Sequence, residues 1–213
     1  MQAAIIYDCE FLTSEGAPGR FWCGPRDPDP VIAQIGAVRL GLEGDFDISD
    51  RLRLHVLPKA RDGSRVSLDP LFMRLTGITE KVISDEGLPL GEALVRLDAF
   101  SEGARLWSWG KDEFNMIAIS CYVAGIAPPI PITRFGNACD LLLAAGMPYE
   151  DLIRTRSNTL AAYYGIEHPD LRGHDALDDA RSVALTLRHL LATGKLSAAA
   201  FARGLQGDAE RAI

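Results

Sequence analysis

The sequence predicts one α/β domain: an antiparallel meander of three strands, followed by helices and further strands. Three observations carry this expectation. Three apolar or alternating runs fall within the first 57 residues, separated by stretches rich in Gly, Pro and Asp. From about residue 68 the spacing of apolar residues becomes helical. A further apolar run, 104–109, then stands between helical segments.

Residues 3–11 (AAIIYDCEF) are short, nearly continuously apolar and contain Ile, Tyr and Phe, the pattern of a buried strand. Thr13 to Pro30 reads as a loop. VIAQIGAVRL at 31–40 is the second strand, Gly41 to Gly44 signal a turn, and DISDRLRLHVL at 47–57 alternates as an antiparallel third strand. After a basic loop at 58–65, helices are expected over 68–75 and 88–100, separated by the turn-like LTGIT at 75–79. ARLWSW at 104–109 suits a buried strand, and a helix follows over 112–124. Pro128, Pro129 and Pro131 interrupt the chain before a short strand near 130–134. Helices are expected at 137–145, 157–164 and 175–193, the last with Ala176, Ala180, Val183, Leu187, Leu190 and Leu191 along one stripe. Residues 1–195 form the domain. The tail, 196–213, carries a short helix at most and no chemical signal.

A chain of 213 residues is one large domain at roughly 150 residues per domain. It is long enough to bury a core without disulfides or structural metals. Its 47% hydrophobic and 24% charged residues are those of a globular protein rather than a disordered one. The formal charge is 22 − 29 = −7. That excludes a nucleic-acid binder that works by blanket phosphate attraction. It admits an acidic enzyme whose negative charge is partly gathered around metal ions. Cys9, Cys23, Cys121 and Cys139 show no CxxC spacing, so four reduced thiols are expected rather than a zinc ribbon. The N-terminal stretch lacks a signal-peptide pattern, and no segment approaches about 18 uninterrupted apolar residues. A cytoplasmic protein that does not span a membrane is the expectation.

Three groups of carboxylates do not belong in a core. Asp8 and Glu10 lie two apart on a strand and emerge on one face. Two neighbouring carboxylates in a dry site need a cation between them or a proton on one of them. Hard divalent cations take such oxygens. The alternative is that the strand ends at Tyr7 and both acids face solvent. In HDALDD, 174–179, helical geometry separates two adjacent aspartates. Asp178 has Asp175, Arg181 and Ser182 as its neighbours three and four residues away, a polar face. Asp179 has Ala176 and Val183, so Asp179 points inward. His174 can share a site with Asp179 only from the loop before the helix, because positions five apart on a helix diverge by about 140°. In WSWGKDEF, 107–114, Asp112 follows a strand and opens a helix, as an N-cap would. Glu113 is its rival, since this helix is apolar nearly all round.

Together these clusters resemble the motifs of the DEDDh 3′–5′ exonucleases, the RNase-T-like group with a ribonuclease-H-type fold. Asp8-Cys9-Glu10 matches the first motif, D-x-E. Asp112, within Trp109-Gly110-Lys111-Asp112, matches the second, and a register shift would place Glu113 there. His174, Ala176, Asp179 and Ala180 match the third, H-x-A-x-x-D-A. QIGAV at 34–38, LTGIT at 75–79 and NTLAAYYGI at 158–166 agree with the likeness, which runs from about residue 3 to 193. The first motif continues Phe11-Leu12-Thr13 rather than the Thr-Thr-Gly common among proofreading members.

The resemblance implies a ribonuclease-H-like mixed sheet, a three-strand antiparallel meander plus parallel strands, flanked by helices. It implies two Mg²⁺ ions, with Mn²⁺ as substitute, held by Asp8, Glu10, Asp112 and Asp179. His174 would be the general base, with Glu10 counted as catalytic as well as a ligand, and the reaction would release nucleoside 5′-monophosphates from the 3′ end of single-stranded RNA or DNA. Phe11, Leu12, Ile78 and Trp109 would contact the terminal nucleotide. The partner is then a nucleic-acid 3′ end, and a homodimer is compatible with the likeness. Two other readings stay open: a catalytically silent nucleic-acid-binding module of the same fold, and a haloacid-dehalogenase-like phosphatase. The phosphatase scheme places Asp where this chain has Glu10 and makes no use of HDALDDA.

Overall fold

The apolar run Ala3–Phe11 is buried on both faces because it becomes β1, the central strand of a five-stranded sheet. The computed structural model describes residues 2–168 and 170–202. β2 (Ile32–Gly41) and β3 (Ile48–His55) complete an antiparallel meander with β1. Helices α1 (Pro70–Thr76), α2 (Glu80–Glu86) and α3 (Leu90–Ser101) lead to β4 (Arg105–Ser108), which lies parallel to β1. α4 (Asp112–Ala124) then precedes β5 (Phe135–Asn137), parallel to β4. α5 (Ala138–Ala144), α6 (Tyr149–Leu152), α7 (Ser157–Tyr163) and α8 (Ala176–Ala192) follow. The strand order is β3-β2-β1-β4-β5, the mixed sheet expected from the sequence.

Strand alternation divides the core. Ala4 and Ile6 of β1 face α8, α7 and α5, whereas Ile5, Tyr7 and Cys9 face α3 and α4. By the same alternation Asp8 and Glu10 belong to the α8 side. A third apolar cluster, around Leu12, Phe72, Ile78 and Ile83, lies under α1 and α2.

Three local differences from the sequence expectation have physical causes. The strand placed near 130–134 begins only at Phe135: Ile132–Arg134 form a 3-10 turn behind Pro131, and the Arg134 guanidinium donates to the Ala104 carbonyl. LTGIT is a junction between two helices rather than a simple turn. Gly77, at φ +74°, ends α1, and the Thr79 hydroxyl accepts from the Val82 amide to start α2. α2 and α6 span seven and four residues, too short for periodicity to declare them. The tail contributes a 3-10 turn at Ala198–Ala202, and its remainder lies outside the described residues. No helix among the described residues is long and apolar enough to cross a membrane.

The QIGAV segment sets the position of α8. Gln34 is buried, and its Oε1 accepts from the Ala176 amide at 2.9 Å, taking a donor that the start of the helix leaves unpaired. Asp175 is the N-cap and accepts from the Leu177 and Asp178 amides at 3.1 and 3.2 Å. Gly36 pairs with Asp8 across the ladder. A Cβ at Gly36 would fall inside the backbone of Ala176 and Leu177, so only glycine lets α8 come this close to β2. Gly36→Ala should therefore push the first turn of α8 away and destabilise the protein by about 1–3 kcal/mol, the range for overpacking a tight core. Chemical denaturation checks this, and an unchanged midpoint would show that the helix can move without cost.

Candidate active site

Asp8 and Glu10 come from the C-terminal half of β1, and Asp179 comes from the first turn of α8. One carboxylate oxygen from each lies within 4.8 Å of the others. Asp8 and Asp179 are 5% and 6% exposed, and Glu10 is half-buried. Adjacent Asp178 is turned away: it accepts from the Arg172 amide at 3.1 Å and pairs with Arg181 at 2.9 Å.

α4 supplies a fourth acid, and its register decides which. Asp112 is exposed on the first turn. Glu113 is 7% exposed, on the same helical face as Met116, Ile117 and Ser120. Its Oε2 is buried without a hydrogen-bond partner. Glu113, not the expected Asp112, is thus the buried acid of α4 and the one whose charge acts on Asp8 and Glu10, although its oxygens are not among the three that meet within 4.8 Å.

Crowding and burial perturb all four in the same direction. Burial first, then the charges of Glu113, Asp179 and Glu10, push the Asp8 carboxyl well above the usual range. Glu10 is raised to about 8 by burial and by Asp179, Asp175 and Glu113, while Arg172 pulls it back. Glu113 also rises to about 8, chiefly by burial. Asp179 rises to about 7 through burial, partly offset by the His174 amide. Four acids that resist ionising together need a cation or protons. The donor set consists of hard carboxylate oxygens, one of them orphaned, and fits Mg²⁺ or Mn²⁺ rather than a soft metal.

His174 lies in the loop before α8, outside the helical phase, with its side chain exposed. Its backbone sits at φ +61°, in the left-handed region, and its amide donates to Asp179 Oδ2 at 3.3 Å. A histidine held in that sparsely populated conformation carries strain that the surrounding contacts must offset. Gly173 helps, because its Cα packs directly on the Asn158 amide group.

The residues expected at the terminal nucleotide divide. Phe11 is half-buried and stands edge-to-face on Trp22 with ring centroids 5.5 Å apart; Trp22 Nε1 donates to the Leu12 carbonyl at 3.1 Å. Trp109 is half-buried beside the cluster under α8. Leu12 and Ile78 are core side chains of the cluster under α1 and α2, drawn in as the Leu12 amide donates to the Val31 carbonyl at 3.0 Å. A residue that sequence reasoning missed is Arg172. Its guanidinium lies against the bare face of Gly77, and its charge favours the ionised form of Glu10.

No protein-family model matches the chain, and no curated protein matches it by sequence. Solved structures do. A full-length 3′-exonuclease superposes with a TM-score of 0.74 over 92% of this chain at 20% identity. A 3′-exonuclease recognising the 3′ end of a histone mRNA stem-loop gives 0.73 over 92% at 19% identity, with 84% of its own length covered. E. coli exonuclease I in complex with a dA16 oligonucleotide gives 0.60 over 91% at 17% identity. The chain spans 62% of the first structure's length and 41% of the last's. At these identities the likeness shows the fold: this chain has the ribonuclease-H-like fold of 3′-exonucleases.

The raised carboxyls set a pH dependence of stability. A group whose value in the folded protein lies above its unfolded value keeps its proton after the unfolded chain has lost it, so raising the pH through that window favours unfolding. In EDTA the melting temperature should fall between about pH 5 and pH 8, from ordinary carboxylate values up to the value of about 8 at Glu10 and Glu113. Mn²⁺ should remove most of the fall. A melting temperature that stays flat or climbs across this interval in EDTA would contradict the crowding.

Proposed function

We propose that this protein is a metal-dependent 3′–5′ exonuclease that removes nucleoside 5′-monophosphates from the 3′ end of single-stranded nucleic acid. The observation that carries this reading is the convergence of three acids from two separate elements, Asp8 and Glu10 from β1 and Asp179 from α8, with the buried carboxylate of Glu113 on α4 acting on them electrostatically, next to the loop bearing His174. The fold supports it, since the structures it resembles are 3′-exonucleases.

Asp8, Glu10, Glu113 and Asp179 would hold two divalent cations, with Glu113 in the place the sequence offered to Asp112. Such a pair would supply charge neutralisation at the phosphate and a lower pKa for bound water. The protein's own part is to set the charge balance and move protons. Four carboxylates contribute −4, which two divalent cations cancel, so an anionic substrate is no longer repelled. Until then the site is held together by retained protons. His174 stands where it can accept the proton of the attacking water: exposed, on a loop, and tied by its backbone to Asp179, which leaves both ring nitrogens free of that contact. Phe11, braced by Trp22, and Trp109 offer aromatic surface to the terminal base.

Incubation of single-stranded RNA and DNA with Mg²⁺ should release 5′-mononucleotides from free 3′ ends, and EDTA or a blocked 3′ end should stop it. Internal fragments, or inorganic phosphate from small phosphomonoesters alone, would overturn the reading. Glu113→Gln should weaken Mn²⁺ binding by calorimetry at least about tenfold, the low end for altering a group around a metal, and Asp112→Asn should leave it near the wild-type value. The reverse result would return the role to Asp112. His174→Ala should keep Mn²⁺ binding while turnover falls by about 10²–10⁴. Undiminished turnover would remove His174 from the chemistry.

A further inference from the structure

We infer that the cleft between the 56–63 segment and the α3–α4 pair is a second nucleic-acid subsite, which takes one nucleotide of the same strand upstream of its 3′ end. This rests on the exonuclease reading and extends it beyond the carboxylates.

The cleft has a volume of about 320 Å³. That lies at the small end of ligand pockets and suits one base rather than a longer segment. Val31, Ile32, Val123 and Ile126 give it apolar walls, and Lys59 and Arg61 are the two charged residues that line it. No acid lines it, on a chain with seven more acidic than basic residues. Two other cations of this stretch are differently placed, Arg53 paired with Asp175 at 2.7 Å and Arg65 with Glu80 at 2.6 Å, and Arg51 does not line the cleft. Neither Lys59 nor Arg61 makes an ion pair among the described residues, and both are exposed. Two unpaired cations on an apolar cleft match the anionic backbone and flat base of a nucleotide.

Arg61 also builds a platform. Its guanidinium carbon stands 4.6 Å from the centroid of the Tyr122 ring, and Tyr122 is 69% exposed. An exposed tyrosine and a guanidinium plane are the surfaces on which unpaired bases stack without regard to sequence.

The position agrees with a continuous strand path. β1 runs from Glu10 into Phe11 and Leu12; Phe11 pairs with Ile32, and the Leu12 amide donates to the Val31 carbonyl. Val31 and Ile32, which line the cleft, are therefore across the ladder from the residues that follow the carboxylates, at the same end of the sheet but on its α3–α4 face, whereas Asp8 and Glu10 lie on the α8 face. A strand with its 3′ end at Asp8 and Glu10 would pass round the end of β1 and β2 to place an upstream nucleotide in this cleft.

The test compares dissociation constants of three- and twelve-nucleotide single strands, measured by fluorescence anisotropy in Ca²⁺, for the wild type, the double variant Lys59→Ala/Arg61→Ala and Tyr122→Ala. The wild type should hold the longer strand more tightly. In each variant that preference should shrink at least about fivefold, the low end for losing a stacking aromatic. The salt dependence of twelve-nucleotide binding should fall by about 1.4 in the double variant, roughly 0.7 for each of two lost phosphate contacts. All three side chains are exposed, and if one variant melts early the other decides. A length preference and salt slope equal to wild type would overturn the subsite while leaving the exonuclease reading intact. A wild type that neither binds nor trims any strand would instead remove the exonuclease reading itself.

Discussion

The approach of α8 to the β1–β2 pair is the constraint on which the rest of the site depends. β1 alone gives two acids on one face, an arrangement of little use without a third ligand from elsewhere. That ligand, Asp179, is on the first turn of α8, and its distance from Asp8 is set by how closely the helix start sits on β2. Two residues of β2 fix it: Gly36 removes the side chain that would stand between helix and strand, and Gln34 caps the Ala176 amide. Both lie opposite the carboxylates in the ladder, Gly36 against Asp8 and Gln34 against Glu10. Packing and function therefore share a few residues, and a change that loosens the core at this point also opens the cluster.

That closeness has an electrostatic consequence. Asp8, Glu113 and Asp179 are nearly sealed from water, which makes each reluctant to ionise, and the charges of Glu113 and Asp179 add to that reluctance at Asp8. Within a hydrophobic domain this would be a plain defect, since burial of unpaired charge is among the costliest things a fold can do. It becomes intelligible if the cluster is complete only with cations in it. The protons held in their absence are the cheaper of the two ways to neutralise it. The surrounding charges fit that view: Arg53 and Arg181 are bound to Asp175 and Asp178, the two acids flanking the cluster that do not enter it. The basic residues near the site thus quiet the bystander acids and leave the converging ones unpaired.

Much of this was legible in the sequence, for reasons that can be named. The strand D-x-E on an apolar run, the meander and the inward turn of Asp179 all follow from periods of two and 3.6, which burial enforces strongly. The test that separated Asp179 from Asp178 also separates Glu113 from Asp112: Glu113 has Met116 and Ile117 three and four residues on, whereas Asp112 has Asn115 as its first such neighbour. An apolar look to the whole helix obscured that signal. α2 was hidden in the junction around LTGIT, where Gly77 ends one helix and Thr79 caps the next, and β5 was expected a few residues early because Pro131 heads a 3-10 turn before the strand. Leu12 and Ile78 show the opposite limit: an apolar side chain next to a motif serves packing as readily as substrate, and only the Leu12–Val31 hydrogen bond shows which way it turns. Arg172 and the Arg61–Tyr122 pair depend on contacts between distant segments, which no local pattern announces.

The distribution of charge, more than its sum, would let a chain of net −7 accept the anionic substrate proposed for it. Fields at the surface are screened within about 8–10 Å, so a strand approaching one end of the sheet meets local groups and not the average of the chain. At that end the acids are buried and become neutral when filled with cations or protons. Two exposed cations without ion pairs among the described residues, Lys59 and Arg61, lie on an apolar cleft, while Arg172 rests on the glycine shelf of Gly77 and its charge acts on Glu10. A phosphate arriving there sees positive charge outside and a compensated cluster inside. The left-handed backbone of His174 fits the same division of labour, because it turns the chain so that the amide serves Asp179 while the ring stays in the open. One strained residue thereby leaves the ring free of the structural task, as the proposed general base requires, whereas a helical histidine at that position would have to do both from a single face.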